Sequence, residues 1–139
     1  MKNLIHFLFI PIALLFLYTG CNQDDTSTGN NNNVTNQVPN KPKNPYPADS
    51  SENIDTNIIM VLTWQCSDPD PNDTVKYDVY ASNDLPIGTT PIVTDLTNPS
   101  YGLGILAAST NYYWKVVATD NHGGTSSSNV WRFRTKNRQ

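Results

Sequence analysis

From Pro45 onward, apolar and polar residues alternate in short runs separated by turn clusters about every ten positions. A period of two is the mark of a strand with one buried face. Ile58, Met60, Leu62 and Trp64 fall on one side of such a run, with Ile59, Val61, Thr63 and Gln65 on the other. After the turn cluster Ser67–Thr74, Val75, Tyr77, Val79 and Ala81 alternate with Lys76, Asp78, Tyr80 and Ser82. Ile92–Leu96 and Ser100–Leu103 read as two shorter strands. The last two are the clearest: Asn111–Thr119 places Tyr112, Trp114, Val116 and Ala118 on one face, and Val130–Thr135 turns Trp131 and Phe133 inward. About seven short strands over about 95 residues predict an all-β, seven-stranded sandwich of two sheets. Its core should hold Trp64, Trp114 and Tyr112.

The first 20 residues obey different physics. A cationic start (Met1, Lys2) leads into an apolar run from Leu4 to Tyr18, then Thr19 and Gly20 precede Cys21. The run is about 15 residues, short of the roughly 20 that span a bilayer as a helix, so residues 1–20 read as an export signal. Residues 21–43 are a low-complexity, Asn-rich stretch with too few apolar residues to offset ordering entropy, so they read as a disordered tether. The globular domain is expected over residues 44–137.

The ending Leu17, Tyr18, Thr19, Gly20, Cys21 resembles a bacterial lipobox. That resemblance implies cleavage before Cys21 and a diacylglyceryl group on its thiol. The following Asn22, Gln23, Asp24, Asp25 is similar to the acidic signal that sends Bacteroidota lipoproteins to the outer face of the outer membrane. The implied address is the outer membrane, lipid-anchored through Cys21 and facing the cell exterior; an ordinary secretory signal cut near Gly20 is the alternative.

A second resemblance rests on Leu106, Ala107, Ala108, Ser109, Thr110 and the run Asn111–Ala118, which looks like the E-F corner and F strand of fibronectin type III domains. Trp64, the stretch Tyr77, Asp78, Val79, Tyr80 and the opening Pro42–Pro47 extend it over residues 42–136. It implies a fibronectin type III sandwich in which Tyr112 forms the tyrosine corner, its hydroxyl bonded to backbone just upstream.

Composition narrows the function classes. At 139 residues the chain holds one domain, with 10 Pro and 7 Gly as turn punctuation and a net charge of -3. That charge offers no field to gather phosphates, so no nucleic-acid partner is expected. His122 is the only histidine after the signal, and no nucleophile, base and orienting group stand together at the level of sequence. Cys66 falls on the inward side of its run and reads as a structural thiol. No catalysis and no cofactor are expected, and a monomer is the expected state.

Two constellations remain. Tyr80, Tyr113, Lys115, Arg132 and Arg134 should share the open face of one sheet, either as a grip for a protein or glycan ligand or as a solvated face with cross-strand charge pairs. Asp68, Asp70 and Asp73 crowd one loop, and Asp120 should lie at the same pole. Together they stand as calcium candidates or as the Asx chemistry of a tight turn. The expected function is a surface-tethered, noncatalytic binding or adhesion module, with a structural spacer or assembly subunit of an outer-membrane complex as the alternative.

Overall fold

β-Branched and aromatic residues in alternation favour paired strands over helix, and the computed structural model describes residues 35–137 as strands joined by turns. In chain order these are β1 (Lys43–Tyr46), β2 (Ser51–Ile54), β3 (Met60–Gln65), β4 (Lys76–Ser82), β5 (Val93–Leu96), β6 (Ser100–Gly104), β7 (Asn111–Thr119), β8 (Thr125–Ser127) and β9 (Trp131–Thr135). One sheet runs β1-β3-β6. The other runs β2-β9-β7-β4-β5, with β8 also on β7.

Nine segments fill seven strand positions because the first and last strands are each split. The opening strand pairs with β3 through β1, then crosses to the other sheet, where β2 lies parallel to β9. The closing strand pairs with β7 through β8 and then β9. Ser128 bridges its break. The Ser128 N–H donates to Val116 O at 2.9 Å, and its hydroxyl accepts the Val116 N–H at 3.0 Å.

Inward residues of both sheets make one core: Met60, Leu62, Trp64, Tyr77, Val79, Trp114, Val116, Ala118, Trp131 and Phe133 are all buried. A line of rings crosses it, Tyr77 to Trp64 at 5.3 Å, Trp64 to Trp114 at 6.3 Å and Trp114 to Trp131 at 4.6 Å between centroids. All three pairs are tilted or edge-on, the arrangements that ring quadrupoles favour. Tyr112 is only half-buried, stacked on Phe133 at 5.5 Å. Its hydroxyl accepts the Ala107 N–H at 3.0 Å, which is the tyrosine corner. Thr135 closes the same corner, its hydroxyl donating to Ala107 O at 2.7 Å and accepting the Thr110 N–H at 2.9 Å.

Several expectations need correction. Ile58 does not join the inward row; pairing begins at Met60, and Ile58 and Ile59 are both exposed. Val130 and Ile92 likewise lie just outside their strands and are exposed. Cys66 follows the last residue of β3, packs against the rim of the core and stays half-buried, with its thiol donating to Asn40 O at 3.1 Å. The segment 35–43, read from sequence as tether, lies against the sandwich: Pro39 and Pro42 are fully buried, and the Asn40 N–H donates to Ser67 O at 2.9 Å. Cys21, the export signal and the tether before residue 35 lie outside the described residues.

Candidate binding face and acidic loop

Because Trp114, Val116 and Ala118 point into the core, β7 turns Asn111, Tyr113, Lys115, Val117 and Thr119 outward. By the same alternation β4 presents Lys76, Asp78, Tyr80 and Ser82, and β9 presents Arg132 and Arg134. Register then builds rows across the sheet. Arg134 stands opposite Asn111, Arg132 and Ser82 flank Tyr113, and Lys115 faces Tyr80, followed by Val117 with Asp78 and Thr119 with Lys76. With strands ~4.8 Å apart and a rise of ~3.4 Å per residue, these rows cover about 10 by 27 Å. All five residues expected to share this face do so, each half-buried by its neighbours.

The two ends of the face differ. At one end it closes on itself: Lys76 pairs with Asp95 at 3.2 Å, and Asp78 Oδ1 accepts the Asp95 N–H at 3.0 Å. In the middle, Lys115 Nζ sits 4.7 Å from the centre of the Tyr80 ring, a cation–π contact that holds both side chains. At the other end Arg132 is fixed by Glu52 at 3.2 Å and reaches Asn111 Oδ1 at 3.4 Å. Arg134 and the Tyr113 hydroxyl make no side-chain hydrogen bond among the described residues. Arg132, Arg134 and Lys136 alternate along the chain, and since Arg132 pairs with Glu52 and Lys136 with Asp55 at 3.0 Å, Arg134 is the one of the three without an ion pair among the described residues.

At the pole that follows β3, Asp68, Asp70 and Asp73 come together as the sequence suggests. Asp120 does not join them. Its carboxylate is taken up by its own turn, accepting the His122 N–H at 2.8 Å and the Gly124 N–H at 2.7 Å, and by the distant Asn36 amide at 3.0 Å. Those donors, the Asn36 amide foremost, hold its carboxyl below the usual carboxylate range. His122 instead turns its Nε2 to Asp73 Oδ1 at 3.3 Å, while Cys66 faces Asn40.

Asn36 and Gln37 were not found from sequence. They sit in a polar, low-complexity stretch with no periodicity, and nothing local signals that they bond Asp120 and Asp70 more than 30 residues away.

Burial pushes the Cys66 thiol up, away from the thiolate a nucleophile needs. Burial, with the Cys66 thiol beside it, also raises the Tyr77 phenol to about 12 from an ordinary 10.0. The fold therefore favours the neutral phenol. The stability tied to it is complete below about pH 10 and is lost as pH climbs from there to about 12. In alkaline melts Tyr77→Phe should remove that part of the loss; a variant with the wild-type alkaline slope would show the phenol ionising freely in the fold.

No protein-family model and no curated protein matches the chain. Among solved structures, it is similar to a region of α-L-rhamnosidase from Dictyoglumus thermophilum, at 18% identity and a TM-score of 0.60. That match covers 74% of this chain but only 13% of the enzyme. A Fn3-like protein from Clostridium thermocellum matches at 24% identity and a TM-score of 0.50, over 74% of this chain and 99% of that one. The fibronectin type III domain of human fibronectin type III domain containing protein 3 matches at 23% identity and 0.49, over 75% and 92%. In strand order, split first and last strands and solved neighbours alike, residues 35–137 have the fold of a fibronectin type III-like domain.

Proposed function

We propose that the chain is a noncatalytic binding module, anchored in the outer membrane of a bacterium through acylated Cys21 and presenting the β9-β7-β4 face to the cell exterior. The observation that carries this reading is the open end of that face. Arg134, whose guanidinium has no partner among the described residues, stands one row from Tyr113 and two rows from the Lys115 and Tyr80 pair. Tyrosine rings supply contact area at little conformational cost, and guanidinium and ammonium groups supply directed donors, the pairing found in binding hot spots. A ligand with hydroxyl and carboxylate acceptors suits those donors. Because a rhamnosidase contains a region of the same fold, saccharide polymers are the first class to test.

The experiment is a binding screen of the full chain against immobilised polysaccharides and envelope extracts, repeated with Tyr113→Ser and Arg134→Ser. Loss of one hot-spot residue typically costs ~2 kcal/mol, or roughly thirtyfold in affinity. Each variant should weaken binding by about that factor while melting within a few degrees of wild type, since both side chains stand outside the core. Binding that survives both substitutions would place the ligand elsewhere.

A further inference from the structure

We propose that the Ser67–Thr74 loop is a divalent-cation site of the calcium class, with the carboxylates of Asp68, Asp70 and Asp73 as its ligands. Two prolines restrict the backbone of this loop, and the Asp70 N–H donates to Asp68 Oδ1 at 2.8 Å while the Asp73 N–H donates to Asp70 O at 3.1 Å. These turns account for the backbone. They leave Asp68 Oδ2 and Asp73 Oδ2 without a partner, while the Asp70 carboxylate accepts the Gln37 N–H at 2.7 Å and the Gln37 side-chain amide at 3.4 Å.

The three residues offer one carboxylate oxygen each, and those atoms all lie within 4.8 Å of one another. Oxygens bound to one calcium at about 2.3 to 2.6 Å can be up to about 5 Å apart, so a single ion can be reached by all three. The Asp73 side chain is only 8% exposed, with Oδ1 near His122 and Oδ2 buried without a hydrogen-bond partner. Asp68 Oδ2 is buried and unpartnered as well. Burying a carboxylate oxygen away from water and from any donor is costly, and placing two beside a third acid adds like-charge repulsion. Among the described residues no Lys or Arg pairs with any of the three. A cation held among the three carboxylates would offset the charge and burial that no protein donor relieves.

The surroundings favour a hard ion with many oxygen ligands. An open cavity of about 360 Å³ lined by Asn36, Asp70, Pro71, Asn72, Asp73 and His122 gives solvent and ions access to the loop. Asn36 and Asn72 bring amide oxygens of the neutral kind that calcium accepts, and water can complete the shell. Zinc prefers nitrogen and sulfur donors in a tetrahedron, and only His122 offers one here. Gln37 donates its N–H to Asp70 Oδ2 at 2.7 Å, so a bound ion would also fasten the segment that enters the domain.

The test is calorimetric titration and thermal melting of the full chain with calcium, magnesium, zinc or chelator. One calcium should bind per chain. At one hundred times its dissociation constant it should raise the melting temperature by on the order of 10 °C over chelator. Asp73→Asn should lose at least tenfold in calcium affinity yet melt in chelator no lower than wild type, because it removes a charge from the cluster. Should Asp73→Asn fail to fold, Asp68→Asn carries the same expectation. Identical wild-type melts in calcium and chelator, a stronger response to zinc than to calcium, or calcium affinity unchanged by the folded variant would each overturn the site.

Discussion

Trp114→Ala is expected to lower the melting temperature by on the order of 20 °C and leave the domain marginally folded at room temperature. Trp114 has no exposed surface and sits between Trp64 and Trp131 at the centre of the line of rings. Truncating a buried aromatic to Ala typically costs ~3 to 5 kcal/mol, because lost transfer energy is joined by the cost of the cavity left behind. Whole domains of this size hold only about 5 to 15 kcal/mol. β7 pairs with β4, β8 and β9, so a cavity beneath it loosens most of the larger sheet. Trp114→Phe is the informative control. The indole N–H meets no acceptor among the described residues, so removing it strands no partner, and the smaller ring should cost markedly less than Ala. If Trp114→Ala melted within a few degrees of wild type, the packing of the two sheets would not be what holds the fold.

Cys21→Ser is expected to move the chain wholly out of the membrane fraction, or to leave it unprocessed. The thiol is the acceptor that a diacylglyceryl group requires, and a serine hydroxyl does not replace it. Two or three acyl chains at ~0.8 kcal/mol per buried CH₂ hold a small protein on a bilayer essentially permanently, so the change should be near all-or-none. Fractionation of cells expressing either form reads it directly. Unchanged membrane association of Cys21→Ser would sink the lipoprotein reading while leaving the binding face untouched.

The strands that sequence reading recovered are those whose alternation runs longest and carries the largest rings. Trp64, Tyr77, Trp114 and Phe133 announce both period and face, because no exposed strand position gains from so much apolar area. Register followed from the same rule, which is why Tyr80, Tyr113, Lys115, Arg132 and Arg134 could be placed on one face in advance.

The failures share a different cause. Ile58 lies two residues and Val130 one residue before its ladder begins, and hydropathy does not show where pairing stops. The crossing of the opening strand between β1 and β2 depends on long-range partners, Gln65 and Thr63 on one side and Phe133 and Thr135 on the other. Pro39 and Pro42 are buried in a stretch whose composition reads as tether, because a proline ring can pack against a sheet without any periodicity. Asp120 was grouped with Asp68, Asp70 and Asp73 by pole. A side chain already holding two donors of its own turn and the distant Asn36 amide has no need of a shared ion.

The most direct measurement of the proposed role is backbone amide chemical-shift mapping on the full chain while a bound polysaccharide or envelope component is titrated in. If the β9-β7-β4 face is the binding surface, the largest shifts will fall on Tyr80, Tyr113, Lys115, Arg132 and Arg134 and fade toward the self-paired end at Lys76 and Asp95. Shifts concentrated on the outer side of β1-β3-β6, around Tyr46, Val61 and Gly102, would contradict it.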